Sequence, residues 1–113
     1  MKRLDLVFKV LGDFNRLRIL KLLEKRKLCV CELSFVLGIS QPAVSRHLKR
    51  LVSVGLVCCE QDGFWTNYFL CECTPYAKVL MSNLKQWLND DETIRNDLKK
   101  VKKANRARLC CQK

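Results

Sequence analysis

Apolar side chains recur every three or four residues through the first half of the chain. Leu4, Val7, Phe8 and Leu11 predict a first helix, which Gly12 ends. Asp13 is placed to cap a second helix, in which Leu17, Ile19, Leu20, Leu22 and Leu23 mark the core face. The basic run Lys25-Arg26-Lys27 closes that helix at the end where its dipole favours cations. A short third helix is expected from Cys29 to Leu37, stopped by Gly38. Ser40 then caps a fourth, with Pro42 in its first turn, where a missing N–H costs nothing. Val44, Leu48 and Leu51 face inward along it, leaving Gln41, Ser45, Arg46, Lys49 and Arg50 outside. Two helices joined by a glycine turn, the second basic on its outer side, form a helix-turn-helix.

After Gly55 the period changes from helical to alternating. Residues 56–61 and 64–70 read as two strands of a hairpin, with Asp62-Gly63 as a type I′ turn. A hairpin directly behind a recognition helix is a wing. Thr74-Pro75 starts a further helix, expected to be long, with Tyr76, Leu80, Leu84, Trp87 and Leu88 on one stripe. The acidic break Asn89-Asp90-Asp91-Glu92 precedes a last basic helix carrying Ile94, Leu98, Val101 and Leu109 on one face. With no internal repeat and no linker, residues 1–113 are expected to form one domain. The fold class is mainly α with one β-hairpin, a winged helix-turn-helix. Its core is thin for 113 residues, so burial through dimerisation is expected. The terminal helices, through the Tyr76–Leu88 stripe with Val7 and Leu11, would supply core and homodimer interface.

Charge adds a partner to this picture. Residues 1–56 carry twelve Lys/Arg against four Asp/Glu, residues 57–92 two against six, and residues 93–113 eight against one. Two basic ends around an acidic middle, with a net charge of +11, point to double-stranded DNA. Gln41, Ser45 and Arg46 sit early on the outer face of the fourth helix, where base edges are reached. Ser40, His47, Lys49 and Arg50 are placed for phosphates. Met1-Lys2-Arg3 leads straight into an amphipathic stretch without the form of a signal peptide, and no apolar run is long enough to span a bilayer. A cytoplasmic protein with no membrane partner is expected.

The eight cysteines fall in pairs: Cys29/Cys31, Cys58/Cys59, Cys71/Cys73 and Cys110/Cys111. None has the C-x-x-C spacing of zinc ribbons or thioredoxin-like sites, and in a reducing compartment thiols are expected rather than a disulfide framework. Cys58 and Cys59 point to opposite faces of a strand, whereas Cys71 and Cys73 share one and read as structural. Cys29 and Cys31 stand just ahead of the recognition helix, so a thiophilic ion bound there would act as a signal with DNA release as output. Small buried apolar residues are the alternative reading of that pair.

Leu11-Gly12-Asp13-Phe14-Asn15-Arg16-Leu17-Arg18-Ile19-Leu20 resembles the second-helix signature of the ArsR family of metalloregulatory winged-helix repressors. Ser40-Gln41-Pro42-Ala43-Val44-Ser45-Arg46-His47-Leu48 resembles its recognition helix, and Gly63-Phe64-Trp65 with Tyr68 its wing. Leu28-Cys29-Val30-Cys31-Glu32-Leu33 is similar to the metal box of the branch that senses arsenite and antimonite, and of a cadmium/lead-sensing branch. The resemblance implies that Cys29 and Cys31 are thiolate ligands and that As(III) or Sb(III) is the inducer, with no catalytic cofactor. The third cysteine that arsenic sensors often carry is Ser34 here, so Cys110, Cys111 or a non-protein group would complete the site. The cadmium/lead branch adds N-terminal thiols, and no cysteine precedes Cys29. His47, the sole histidine, lies on the recognition helix, so the family's His/Asp zinc site cannot be built. A cadmium/lead-responsive repressor and a thiol-redox-responsive repressor of the same fold are the alternative readings. An enzyme is not expected, because no His/Asp partner serves a cysteine nucleophile.

Overall fold

The computed structural model describes residues 3–72 and 74–105. Among the described residues six helices and one hairpin follow in the order α1 (Leu4–Leu11), α2 (Phe14–Leu23), α3 (Val30–Leu37), α4 (Gln41–Ser53), β1 (Val57–Asp62), β2 (Trp65–Leu70), α5 (Pro75–Leu84) and α6 (Glu92–Val101). The cap residues act as their chemistry predicts. Asp13 accepts from the N–H groups of Asn15 and Arg16, and Ser40 from that of Ala43. Gly38 ends α3 at φ 72°, a left-handed conformation that costs a side-chain-bearing residue more.

Helix α2 is the centre of the domain. Residues Ile19 to Leu23 are all buried, and α2 packs on α1, α3, α4, β2 and α6. Leu33 of α3, then Val44, Leu48 and Leu51 of α4, complete the apolar interior and fix the recognition helix against its neighbour. Leu17, expected in the core, is only half-buried. Of the four buried polar residues among those described, Lys21 lies deepest: it is 1% exposed, and its Nζ donates to the Leu84 carbonyl at 2.7 Å and to Asn89 Oδ1 at 2.9 Å, beside Glu24 at 3.1 Å.

That lysine corrects the expected long helix. The ammonium takes the carbonyl of Leu84, α5 stops there, and Leu88 turns into a left-handed φ of 68°. Trp87 is consequently half-exposed rather than part of a buried stripe, and the inward positions are Ala77, Met81 and Leu84. In α6 the buried residues are Ile94, Asp97 and Val101, with Leu98 half-buried; Leu109 lies outside the described residues.

The hairpin turn is also displaced by one residue. Asp62 pairs with Trp65, so the two-residue turn is Gly63-Phe64. Positive φ occurs at Gly63 (62°) and not at Phe64, which fits type II′ and not type I′, since the latter needs it at both positions. Leu28 exchanges both backbone hydrogen bonds with Tyr68 (3.1 and 2.8 Å), tying the segment before Cys29 to the wing.

Candidate thiol site and nucleic-acid interface

Cys29 is the N-cap of α3 rather than its first helical residue, with an extended backbone at φ −98° and ψ 172°. Its N–H donates to Glu32 Oε1 at 2.9 Å, while its sulfur accepts from the Glu32 N–H, a reciprocal capping box with a thiol in the usual hydroxyl's place. The side chain is 3% exposed. Burial pushes the thiol above its ordinary value of 9.0; the Glu32 N–H works against that, and the Glu32 carboxylate adds to it. Near neutral pH Cys29 is therefore a protonated, buried thiol.

Cys31 lies in the first turn of α3, half-buried and disulfide-bonded, which corrects the expectation of thiols throughout, whereas Cys29, Cys58, Cys59 and Cys71 are in no disulfide. Cys58 is half-buried and Cys59 exposed, as alternation along a strand requires. Cys71 donates to the Gly55 carbonyl at 3.4 Å, in keeping with a structural role. Cys73, Cys110 and Cys111 lie outside the described residues, as do Arg106, Arg108 and Lys113 near the last pair. Among the described residues no three His, Cys, Asp or Glu side chains are grouped to hold a metal ion.

On α4, Gln41, Ser45, Arg46, Lys49 and Arg50 all stand exposed on the outer face. Ser40 is exposed too, but its hydroxyl is engaged as the cap. His47 sits differently from the other six. It is half-buried, and its Nδ1 accepts from Arg16 Nε at 3.2 Å, while Arg16 Nη1 donates to the Val10 carbonyl at 3.0 Å. The proton of the neutral ring is thus on Nε2. Burial lowers its pKa below 6.5, Asp13 opposes that, and Arg16, Arg46 and Arg50 reinforce it. Sequence reasoning missed this contact, which joins α1, α2 and the recognition helix through residues 31 positions apart.

A pH dependence follows. Because the folded-state pKa is depressed, the contribution of the His47–Arg16 bond is complete above about 6.5 and disappears as pH falls through the lower folded value. In thermal melts the wild type is expected to lose stability from pH 7 to pH 5 more steeply than His47→Gln, whose amide oxygen accepts from Arg16 without titrating. Parallel curves for the two proteins would contradict it.

Residues 13–58 match the family model described as bacterial regulatory protein, arsR family. The chain is 35% identical over 102 residues to the arsenical resistance operon repressor of Escherichia coli K12, covering 88% of this chain and 85% of that one. It is 36% identical over 92 residues to an arsenic resistance transcriptional regulator of Pseudomonas putida, covering 76% and 72%. Among solved structures, reduced HlyU from Vibrio cholerae superposes with a TM-score of 0.65 at 30% identity, over 75% of this chain and 87% of that one. A homodimeric winged helix-turn-helix DNA-binding domain from Mycobacterium bovis gives 0.63 at 26% identity, over 73% and 74%.

Proposed function

Because this chain belongs to the ArsR family and is a DNA-binding transcriptional repressor rather than an enzyme, we propose that it controls a metalloid-resistance operon and leaves its operator when trivalent arsenic or antimony bridges Cys29 and Cys31. The observation that carries this reading is the position of the two sulfurs, at the cap and in the first turn of the helix that packs on the recognition helix. Base edges are read by Gln41, Ser45 and Arg46, and phosphates are held by Ser40, His47, Lys49 and Arg50. The repressor acts as a homodimer. Its α1 leaves Leu4 and Phe8 exposed, and Val79 and Trp87 are exposed in and just after α5, apolar surface suited to a second copy. No helix among the described residues is long and apolar enough to cross a membrane.

Once a thiol reductant has opened the disulfide at Cys31, the exchange itself needs no redox step. Arsenous acid exchanges two As–O bonds for two As–S bonds; each thiol proton leaves on a hydroxide as water, and arsenic stays trivalent. A protonated Cys29 is therefore no obstacle to arsenite. A cation such as cadmium must expel that proton beside the buried Glu32 carboxylate, which disfavours it as pH falls. Chelation also requires Cys29 to leave its cap. The first turn of α3 then deforms against α4. In a dimer whose reading helices must sit about 34–36 Å apart to dock, such a shift lowers affinity.

Native mass spectrometry of the reduced protein tests the ligand assignment. One arsenic per chain is expected in wild type and in Cys58→Ser/Cys59→Ser, and none in Cys29→Ser or Cys31→Ser. Its midpoint should be the same near pH 6 and near pH 8, while cadmium binding weakens at the lower pH. Arsenic retained by both single-serine variants would overturn the assignment. The disulfide at Cys31 favours a second reading, in which oxidation is the signal. That regulator would release DNA on oxidation and ignore arsenite under reducing conditions.

A further inference from the structure

Glu32 does more than close the cap of α3. Its carboxylate is 4% exposed and is used at both oxygens. Oε1 accepts from the Cys29 N–H at 2.9 Å, and Oε2 accepts from Arg26 Nη1 at 3.1 Å. Nη2 of the same guanidinium reaches across to the end of α6, donating to the carbonyls of Val101 at 3.1 Å and Ala104 at 3.4 Å. The Val101 carbonyl also accepts from the Ala104 N–H at 3.0 Å, and both carbonyls lie at the helix end that favours a cation. A continuous hydrogen-bonded chain thus runs from the backbone of Cys29, through Glu32 and Arg26, to the end of the terminal helix. A hollow of about 360 Å³ borders it, lined by Arg26, Lys27, Glu32, Asn67, Ala104 and Asn105, and gives the guanidinium room to swing away.

We propose that Glu32 and Arg26 are positioning residues that couple the thiol pair to the end of α6, so that deforming the Cys29 cap frees the terminal helix as a second output beside the recognition helix. The inducer named in this coupling rests on the reading above; the coupling itself does not. A buried carboxylate that loses the Cys29 N–H cannot stay where it is unless another donor replaces it. It moves toward water with Arg26 still paired to it, which draws the guanidinium away from Val101 and Ala104. From the same loop Lys27 pairs with Glu60 of β1 at 2.8 Å.

Glu32→Gln separates the two halves of the chain of bonds. Its amide oxygen still accepts from Cys29, while its amide nitrogen, a donor, faces the donors of Arg26. Amide hydrogen exchange over residues 101–105 of the full-length reduced protein is the readout. About tenfold faster exchange is expected there in Glu32→Gln and in Arg26→Met, with the α2 core unchanged. Arsenite should speed the same amides in wild type and add nothing in either variant. Wild-type exchange over 101–105 in both variants would overturn the coupling, whatever arsenite does. Accelerated exchange in the variants, with wild type indifferent to arsenite, would uphold the coupling and overturn the inducer.

Discussion

Asp97→Ala is expected to cost the fold about 3 kcal/mol, the low end of what breaking a buried ion pair costs. The carboxylate receives Arg18 Nε at 2.8 Å and Nη2 at 2.9 Å, a bidentate pair in which the two side chains are only 15% and 6% exposed. Arg18 also donates to Asn15 Oδ1 at 2.9 Å and to the Leu37 carbonyl at 3.5 Å, so two of its hydrogen bonds survive the substitution and the cost stays near 3 kcal/mol. The hydrogen bond to Asp97 is the main cause that holds Arg18 more firmly protonated, against the opposing effect of burial. Without Asp97, α6 loses its polar anchor on α2. In a domain of this size the loss corresponds to a melting temperature lower by about 15 °C. Glu60→Gln, which removes a pair that is 52% and 43% exposed, is expected to stay within about 0.5 kcal/mol. Urea unfolding of the two variants checks the contrast; a loss under about 1 kcal/mol for Asp97→Ala would show that α6 is held by its apolar face alone.

The helix-turn-helix was legible because its signals are local. Asp13, Ser40 and Gly38 act within three or four residues of themselves, and the Val44, Leu48, Leu51 spacing assigns the inner face of α4 without knowledge of the rest. The place of Cys29 and Cys31 at the start of α3 was legible for the same reason. What escaped the sequence depends on partners far along the chain. Lys21 reads as a solvent-facing helix residue until Leu84 and Asn89, 63 and 68 positions away, close over it. It then decides where α5 ends, and so why Trp87 faces outward. Arg26 and Arg18 meet α6 across 75 and 79 positions, so no periodicity could single them out from their neighbours. The hairpin was placed correctly but its turn was not. Only the register shows that Asp62 belongs to the strand, and Gly63 alone adopts the positive φ. The protonation of Cys29, which bears most on the choice between arsenite and a divalent cation, needed the burial of the cap.

Replacing Cys29 and Cys31 together with serine is expected to leave a repressor that binds its operator and no longer lets go. Serine is a good N-cap, so the first turn of α3 should form without the thiol and the recognition helix should keep its support. Arsenite then has no sulfur pair with which to pull the cap apart. A coupling of roughly 1–3 kcal/mol, typical between two linked sites, corresponds to an operator affinity about 5- to 150-fold lower in the arsenite-bound wild type, and the variant should lose all of that difference. The direct measurement is fluorescence anisotropy of labelled operator DNA bound to the reduced protein, titrated with arsenite, antimonite and cadmium. Release of the wild type by arsenite and antimonite, with the double-serine variant still bound at every concentration, is the result this account predicts. Release of the variant by arsenite would contradict it, and so would a wild type that stays bound under reduction and comes off only when oxidised.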